Sequence, residues 1–284
     1  MAVNVLDEAI RDEVPLIVLS PHLDDAALSC GALMMHAVQH TSVTVVTLFT
    51  ESGGPPYTLS GRRYLHQMGS RSAQTLYQQR RTEDQAALSP FGVKCVHAGL
   101  TDALFRRHPC PGTWPLRARL LPELAHIYPT YRLHIIAGQI APADAGTLRD
   151  VCDVIQRLAS SGPSVLLAPL GVGGHVDHVL VRSAAEGSGS PVVYYSDVPY
   201  NRRHPVHDAF IRRNGLIESS WYDLAEAKAE LVRGYGTQVQ ALFRGGRIPL
   251  VPEVFFSRPV RTGKVTPTRI GDLSGLKVKK IDRH

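Results

Sequence analysis

The sequence has few of the residues that would staple, anchor or thread it. Only four cysteines occur in 284 residues, Cys30, Cys95, Cys110 and Cys152, and their spacing fits neither a zinc ribbon nor a CxxC redox pair. That scarcity argues against a disulfide framework in a chain this long; reduced, mostly buried thiols are expected instead. No apolar run approaches the roughly 20 residues needed to cross a bilayer. The opening MAVNVLDEAIRDEVP is acidic and lacks the apolar core of a secretion signal. A protein without a membrane span, located in the cytoplasm, is expected. No GxGxxG register follows the first strand, and in GVGGHVDH the residues after Gly174 are His175 and Val176. A dinucleotide cradle is therefore not expected.

What is present is ordinary globular material: 44% hydrophobic and 20% charged residues. The length suits one large α/β unit with a sizeable core. We expect a single domain over residues 1–257 and a basic segment over 258–284. In that segment Arg258, Arg261, Lys264, Arg269, Lys277, Lys279, Lys280 and Arg283 stand against Asp272 and Asp282, which accounts for the whole net charge of +6. Without interleaved aromatics or a nucleic-acid motif, it is expected to be a solvated terminal segment and not a nucleic-acid site.

Apolar runs alternate with helical patterns. Strands are expected at 14–20, 42–50, 93–99, 164–170, 191–198 and 250–257, with a weaker one at 132–137. Helices are expected at 26–39, 71–89, 115–128, 146–160, from 176 onward, and at 221–243. Residues 51–69 make a long connection rich in Gly, Pro and polar groups. The alternation predicts an α/β fold, a Rossmann-like three-layer sandwich with a mostly parallel central sheet. In such sheets, ligands bind beyond the carboxyl ends of the strands.

Two of those strand ends carry chemistry. PLIVLSPHLDDAALSCGAL runs from a buried strand into His22, Asp24 and Asp25. GVGGHVDH follows the 164–170 strand with His175, Asp177 and His178. An Asp pair after a strand, taken alone, reads as a helix cap. Both segments together read as a metal centre. Imidazole nitrogen and carboxylate oxygen are good zinc ligands, three of them leave a position for water, and a second carboxylate can take that water's proton. A two-His, one-carboxylate set also accepts Fe2+.

These residues make the sequence resemble the LmbE-like, or PIG-L, family of zinc-dependent de-N-acetylases. The likeness rests on PHLDD after the first strand, on RRTEDQAALSPFGV with Arg80 and Glu83, and on AGLTDALF with Asp102. HVDH and the series Lys228, Tyr235, Thr237 and Gln238 complete it. The resemblance spans residues 15 to about 257. It implies that His22, Asp25 and His178 bind Zn2+ and that Asp24 is the general base. It gives His175 the role of stabilising an oxyanion and helping to protonate the leaving amine, and Asp177 that of orienting and charge-tuning His175. Asp102 would contact a substrate sugar. Arg80 would either face the site or pair with Glu83 along its helix.

Three departures from the family pattern stand out. Leu23 replaces the usual Pro, Ala26 replaces an acidic residue, and Gly173 stands where some relatives carry an aromatic hydroxyl. The implied activity is hydrolysis of an N-acetyl group on an amino-sugar-containing small molecule. A broader amide hydrolase acting on a conjugate or natural-product intermediate, and a non-catalytic ligand binder of the same fold, stay open. So does the role of Arg202, Arg203, His204 and His207, which suit either an anionic substrate group or a solvated loop. Oligomeric state is not legible.

Overall fold

The computed structural model describes residues 5–110, 115–206 and 208–259. The basic segment lies outside these from residue 260 on, as does His207. Seven strands form one sheet: β1 (Leu16–Ser20), β2 (Val43–Thr47), β3 (Lys94–His97), β4 (Val165–Pro169), β5 (Val192–Tyr195), β6 (Ile217–Trp221) and β7 (Glu253–Ser257). Their order is β3-β2-β1-β4-β5-β7-β6. The pairings from β3 to β5 are parallel, whereas β7 runs antiparallel to both β5 and β6.

Every residue of β1, β2 and β4 is buried, as parallel strands covered on both faces require. Alternation along β1 divides the core in two. Ile17 and Leu19 join one apolar cluster with Ile155 of α6 (Ala145–Ser160) and Leu180 of α7 (Val176–Glu186). Leu16 and Val18 join the other, with Leu6 of α1 (Val5–Arg11), Leu28 of α2 (Asp25–Ala37) and Leu231 of α9 (Ala225–Arg233). The result is the expected three-layer α/β sandwich. The chain turns from β1 toward β2 and β3 on one side and from β4 toward β5 on the other. The crevice between the ends of β1 and β4 is therefore the topological switch point.

Several local expectations are corrected. The connection at 51–69 contains α3 (Leu59–Gln67), started by Thr58, whose hydroxyl accepts the Gly61 N–H. It precedes α4 (Ala73–Leu88). The helix expected at 115–128 is only α5 (Leu116–Leu120) and a 3-10 turn at Pro122–Leu124, because Pro122 has no N–H to continue a helix. The strand expected at 132–137 is a π-helical turn, Tyr131–Ile135. A helix at Asp208–Asn214 (α8), not foreseen, precedes β6.

The single helix expected at 221–243 instead begins after the edge strand β6 and breaks between α9 and α10 (Gly236–Leu242). Gly234 marks the break: a Cβ there would lie 2.8 Å from Cβ of Ala87 on α4, so only glycine allows this approach. The thiols are not mostly buried either. Cys30 is, but Cys95 and Cys110 are half-buried and Cys152 is exposed. Among the described residues no helix is long and apolar enough to cross a membrane.

One buried ion pair links the layers. Lys228 Nζ of α9 lies 3.0 Å from Glu253 Oε1, and the Glu253 carboxylate also accepts the N–H groups of Ala32 and Leu33. Removing one charge strands the other. Glu253→Gln is expected to lower the free energy of unfolding by about 3–5 kcal/mol, read as a fall in the urea midpoint. Adding Lys228→Met should recover much of that loss.

Candidate active site

The loop after β1 is built to present His22, Asp24 and Asp25. Ser20 Oγ donates to the His22 carbonyl at 2.6 Å and accepts the Ala26 N–H at 3.0 Å, so Ser20 does the helix-starting work. Asp24 occupies the N-cap position of α2 but makes no side-chain cap bond. Its carboxylate instead faces Arg80 of α4, with Oδ1 3.4 Å from Nη2, and Arg80 Nη1 donates to the Tyr64 hydroxyl at 2.9 Å. Arg80 thus faces the site and does not pair with Glu83. The Glu83 carboxylate accepts from the Thr237 N–H and hydroxyl, tying α4 to α10. Leu23, where the resemblance has Pro, is fully buried in the core.

The loop after β4 brings His175, Asp177 and His178 to the same place. Ligand-capable atoms of His22, His175 and His178 all lie within 4.8 Å of one another. Asp25 Oδ2 stands between two of these rings, 3.1 Å from His22 Nδ1 and 3.3 Å from His178 Nε2. In a tetrahedral zinc site with bonds of about 2.0–2.1 Å, neighbouring ligand atoms stand roughly 3.3 Å apart. His178 Nδ1 lies 2.6 Å from Asp197 Oδ1, while Nε2 is buried without a hydrogen-bond partner. A carboxylate on one imidazole nitrogen leaves the other free to ligate. The donor set therefore fits a divalent cation of the zinc class.

The field at the site favours positive charge. Burial pushes His178 down, but Asp25 and Asp197 outweigh it and raise the ring to about 9. Burial also opposes a charge on His22, yet hydrogen bonds to Asp177 and Asp25 lift it well above the usual imidazole range. His175 goes the other way, held well below that range by burial and by the charge on His22. It is a neutral ring. Its Nδ1 accepts the Asp177 N–H at 3.3 Å, which assigns its proton to Nε2. Burial pushes Asp24 up to about 6, against the pull of Arg80.

Two residues differ from their expected connections. The Asp177 carboxylate does not hydrogen-bond the His175 ring; Oδ2 lies 3.2 Å from His22 Nε2 and accepts the Ala103 N–H, and Oδ1 accepts from Arg106 at 2.5 Å. Both oxygens of Asp102 are engaged by the protein, Oδ2 by the Tyr77 hydroxyl at 2.5 Å and Oδ1 by the Leu104 N–H. It nevertheless lines the cavity.

That cavity, of about 830 Å³, opens over His22, Asp24, Asp25, Arg80 and His175. Tyr131, Arg63, Arg132 and Gln238 also line it, so the wall comes from α3, the π-helical turn and α10. Arg202, Arg203 and His204 are exposed and do not line it. Arg106, Asp197 and Tyr200 were missed in the sequence. Arg106 is buried between Asp177 and Asp144 with its guanidinium over the Phe49 ring. Tyr200 fills the space left by Gly173. A Cβ on Gly173, whose φ is +83°, would come within 2.9 Å of the Tyr200 ring. An aromatic hydroxyl thus reaches the cavity from the segment after β5. Nothing local in the sequence marks these three, because each is recruited by tertiary contact.

The family model described as PIG-L: GlcNAc-PI de-N-acetylase matches residues 17–187. A 2'-N-acetylparomamine deacetylase of Streptomyces fradiae is 28% identical over 248 residues, covering 83% of this chain and 77% of its own. Among solved structures, the deacetylase-bog complex of the teicoplanin biosynthesis pathway matches with a TM-score of 0.66 at 22% identity, over 85% of this chain and 96% of its own. The zinc inhibited form of teicoplanin deacetylase Orf2 gives 0.62 at 23%, over 79% and 85%. These two likenesses bear on the fold.

Asp197 holds His178 from behind, and carboxylate partners of that kind typically change metal affinity by about 10–100-fold. Asp197→Asn is expected to weaken binding of a divalent cation at this site by that factor in competition with a chelating dye, and His178→Ala to abolish binding at this site.

Proposed function

The chain belongs to the PIG-L (GlcNAc-PI de-N-acetylase) family, and from that premise we propose that it is a metal-dependent N-deacetylase. Its substrate is an N-acetylated amino sugar within a small molecule of the aminoglycoside or glycopeptide kind. The observation that carries this reading is the convergence of His22, Asp25 and Nε2 of His178, with Asp24 beside them and His22, Asp24 and Asp25 lining one cavity. The substrate class draws on the paromamine deacetylase and the teicoplanin deacetylases that the chain resembles.

In this reading His22, Asp25 and His178 hold Zn2+, and the same donors accept Fe2+. Held there, such an ion would supply Lewis acidity toward an amide carbonyl and a water molecule. The protein's own residues do the rest. Asp24 accepts a proton from the attacking water. Arg80, 3.4 Å away, holds that carboxylate in place and favours its ionised form. As the carbonyl carbon becomes tetrahedral, the neutral His175 donates its Nε2–H to the developing oxyanion. One donor of this kind is typically worth about 3–4 kcal/mol.

A neutral imidazole held below its usual pKa is a poor acid, so the leaving nitrogen takes its proton from Asp24, not from His175. The products are acetate and an amine. Asp177, neutralised by Arg106, orients His22. Asp102 steadies the wall with Tyr77 and keeps an edge toward the sugar. The complete set of base, donor and ligands argues against a ligand binder without turnover.

Acetate release from N-acetylated aminoglycosides tests the proposal. Asp24→Asn should keep the metal and lose activity by about 10²–10⁴-fold, the usual contribution of general acid–base catalysis. Full activity in that variant would remove Asp24 from the mechanism. Asp24 must be ionised to accept a proton, so kcat/KM should fall as pH drops through its pKa. Arg80 lowers that pKa. Arg80→Met is therefore expected to move the acid limb of the pH profile to higher pH.

A further inference from the structure

A second group of metal-ligating side chains sits at the edge of the sheet. Cys95 and His97 are two residues apart on the edge strand β3, so they share one face of it. Asp84 of α4 covers that face. Cys95 Sγ lies 3.3 Å from Asp84 Oδ2 and 3.3 Å from His97 Nε2, and His97 Nε2 lies 2.9 Å from Asp84 Oδ2. None of the three takes part in the deacetylation chemistry.

Hydrogen bonds alone fit this cluster poorly. Thr47 Oγ1 also reaches Asp84 Oδ2, at 3.3 Å, so three donors converge on one oxygen with two lone pairs. The other oxygen is taken by the Tyr235 hydroxyl at 2.7 Å. Meanwhile a thiol and an imidazole nitrogen face each other. Thiolate, imidazole and carboxylate at mutual contact form a ligand triangle. With bonds of about 2.3 Å to sulfur and about 2.0–2.1 Å to nitrogen or oxygen, a tetrahedral ion needs donor edges of roughly 3.3–3.6 Å. The observed edges come within a few tenths of an ångström of that range. The His97 side chain is 19% exposed, which gives an ion a way in and leaves solvent to complete its shell.

We propose that Asp84, Cys95 and His97 form a second divalent-cation site, of the thiolate–imidazole–carboxylate class that selects Zn2+, Co2+ or Cd2+ over Mg2+ or Ca2+. On binding, the Cys95 thiol releases its proton to solvent. His97 offers the Nε2 lone pair with its ring proton on Nδ1, and Asp84 remains a carboxylate. Two negative ligands then face a doubly charged ion. The ligand thiol must give up its proton, so binding strengthens as pH rises. Occupancy clips β3 to α4 one turn after Arg80, the residue that faces Asp24.

The test is independent of the proposed activity. Metal-free full-length protein is titrated with Co2+ and the thiolate-to-cobalt charge-transfer absorbance is followed. A saturable band is expected, kept in His178→Ala and lost in both Cys95→Ser and His97→Gln. No band in the wild-type protein, or a band that persists in Cys95→Ser, overturns the inference. If Cys95→Ser does not fold by circular dichroism, alkylation of Cys95 in the wild-type protein serves instead, located by peptide mass. Cd2+ should slow it, and labelling at an unchanged rate overturns the inference equally.

Discussion

The crowding of buried carboxylates at one strand rim is the constraint on which the rest of the site depends. Asp24, Asp25, Asp102, Asp177 and Asp197 are all buried, and they surround three imidazoles. Like charges in low dielectric repel strongly, and a carboxylate out of water is costly unless something positive faces it. Two arginines supply part of the compensation, Arg80 at Asp24 and Arg106 at Asp177. Neither faces Asp25. That carboxylate lies between His22 and His178, where the field of its neighbours raises the pKa of both rings. A place that draws positive charge onto two histidines with one carboxylate oxygen between them has the electrostatics of a cation site.

The fold makes that crowding affordable by placing it where backbone diverges. At the switch point between β1 and β4, the two chemical loops leave adjacent strands side by side. Each then enters a helix, α2 or α7, whose packing on opposite layers fixes the loop ends. The supporting groups come from elsewhere: Arg80 from α4, Arg106 from the segment after β3, and Asp197 from the segment after β5. This division separates the groups proposed to react from those that hold them. The same helix, α4, connects Glu83 to α10 and Asp84 to Tyr235 and the β3 edge, so its position is set by several long-range contacts.

The residues that converge at the site from the two strand ends, and Arg80 with them, were legible in the sequence, whereas Arg106, Asp197 and Tyr200 were not, for a physical reason. His22, Asp24, Asp25, His175, Asp177 and His178 lie in two short segments at the ends of apolar runs, where local pattern and chemistry coincide. Most of the sheet was legible for the same cause: β1, β2 and β4 are apolar because they are buried on both faces, whereas the edge strand β6, exposed or half-buried along its length, was not foreseen. Arg106, Asp197 and Tyr200 act over distances in sequence that no local pattern records. The errors of fold have a similar origin. Residues 221–243 carry a helical pattern throughout, but the backbone leaves the helix at Tyr235 (φ −93°, ψ 62°), next to the close approach of Gly234 to Ala87. The apolar stretch Tyr131–Ile135 winds into a turn over the cavity, although its composition suits a strand. The resemblance pairs Asp177 with His175, whose ring its charge does raise, but its carboxylate hydrogen-bonds Arg106 and His22 through space.

The central claim is that one divalent ion is shared by side chains from the β1 and β4 loops. Anomalous diffraction from crystals of the active, zinc-loaded protein, recorded on either side of the zinc absorption edge, tests it most directly. The account predicts a strong peak in bonding contact with His22, Asp25 and His178. Active protein whose crystals show no such peak, or only a peak ligated by other residues, would contradict it.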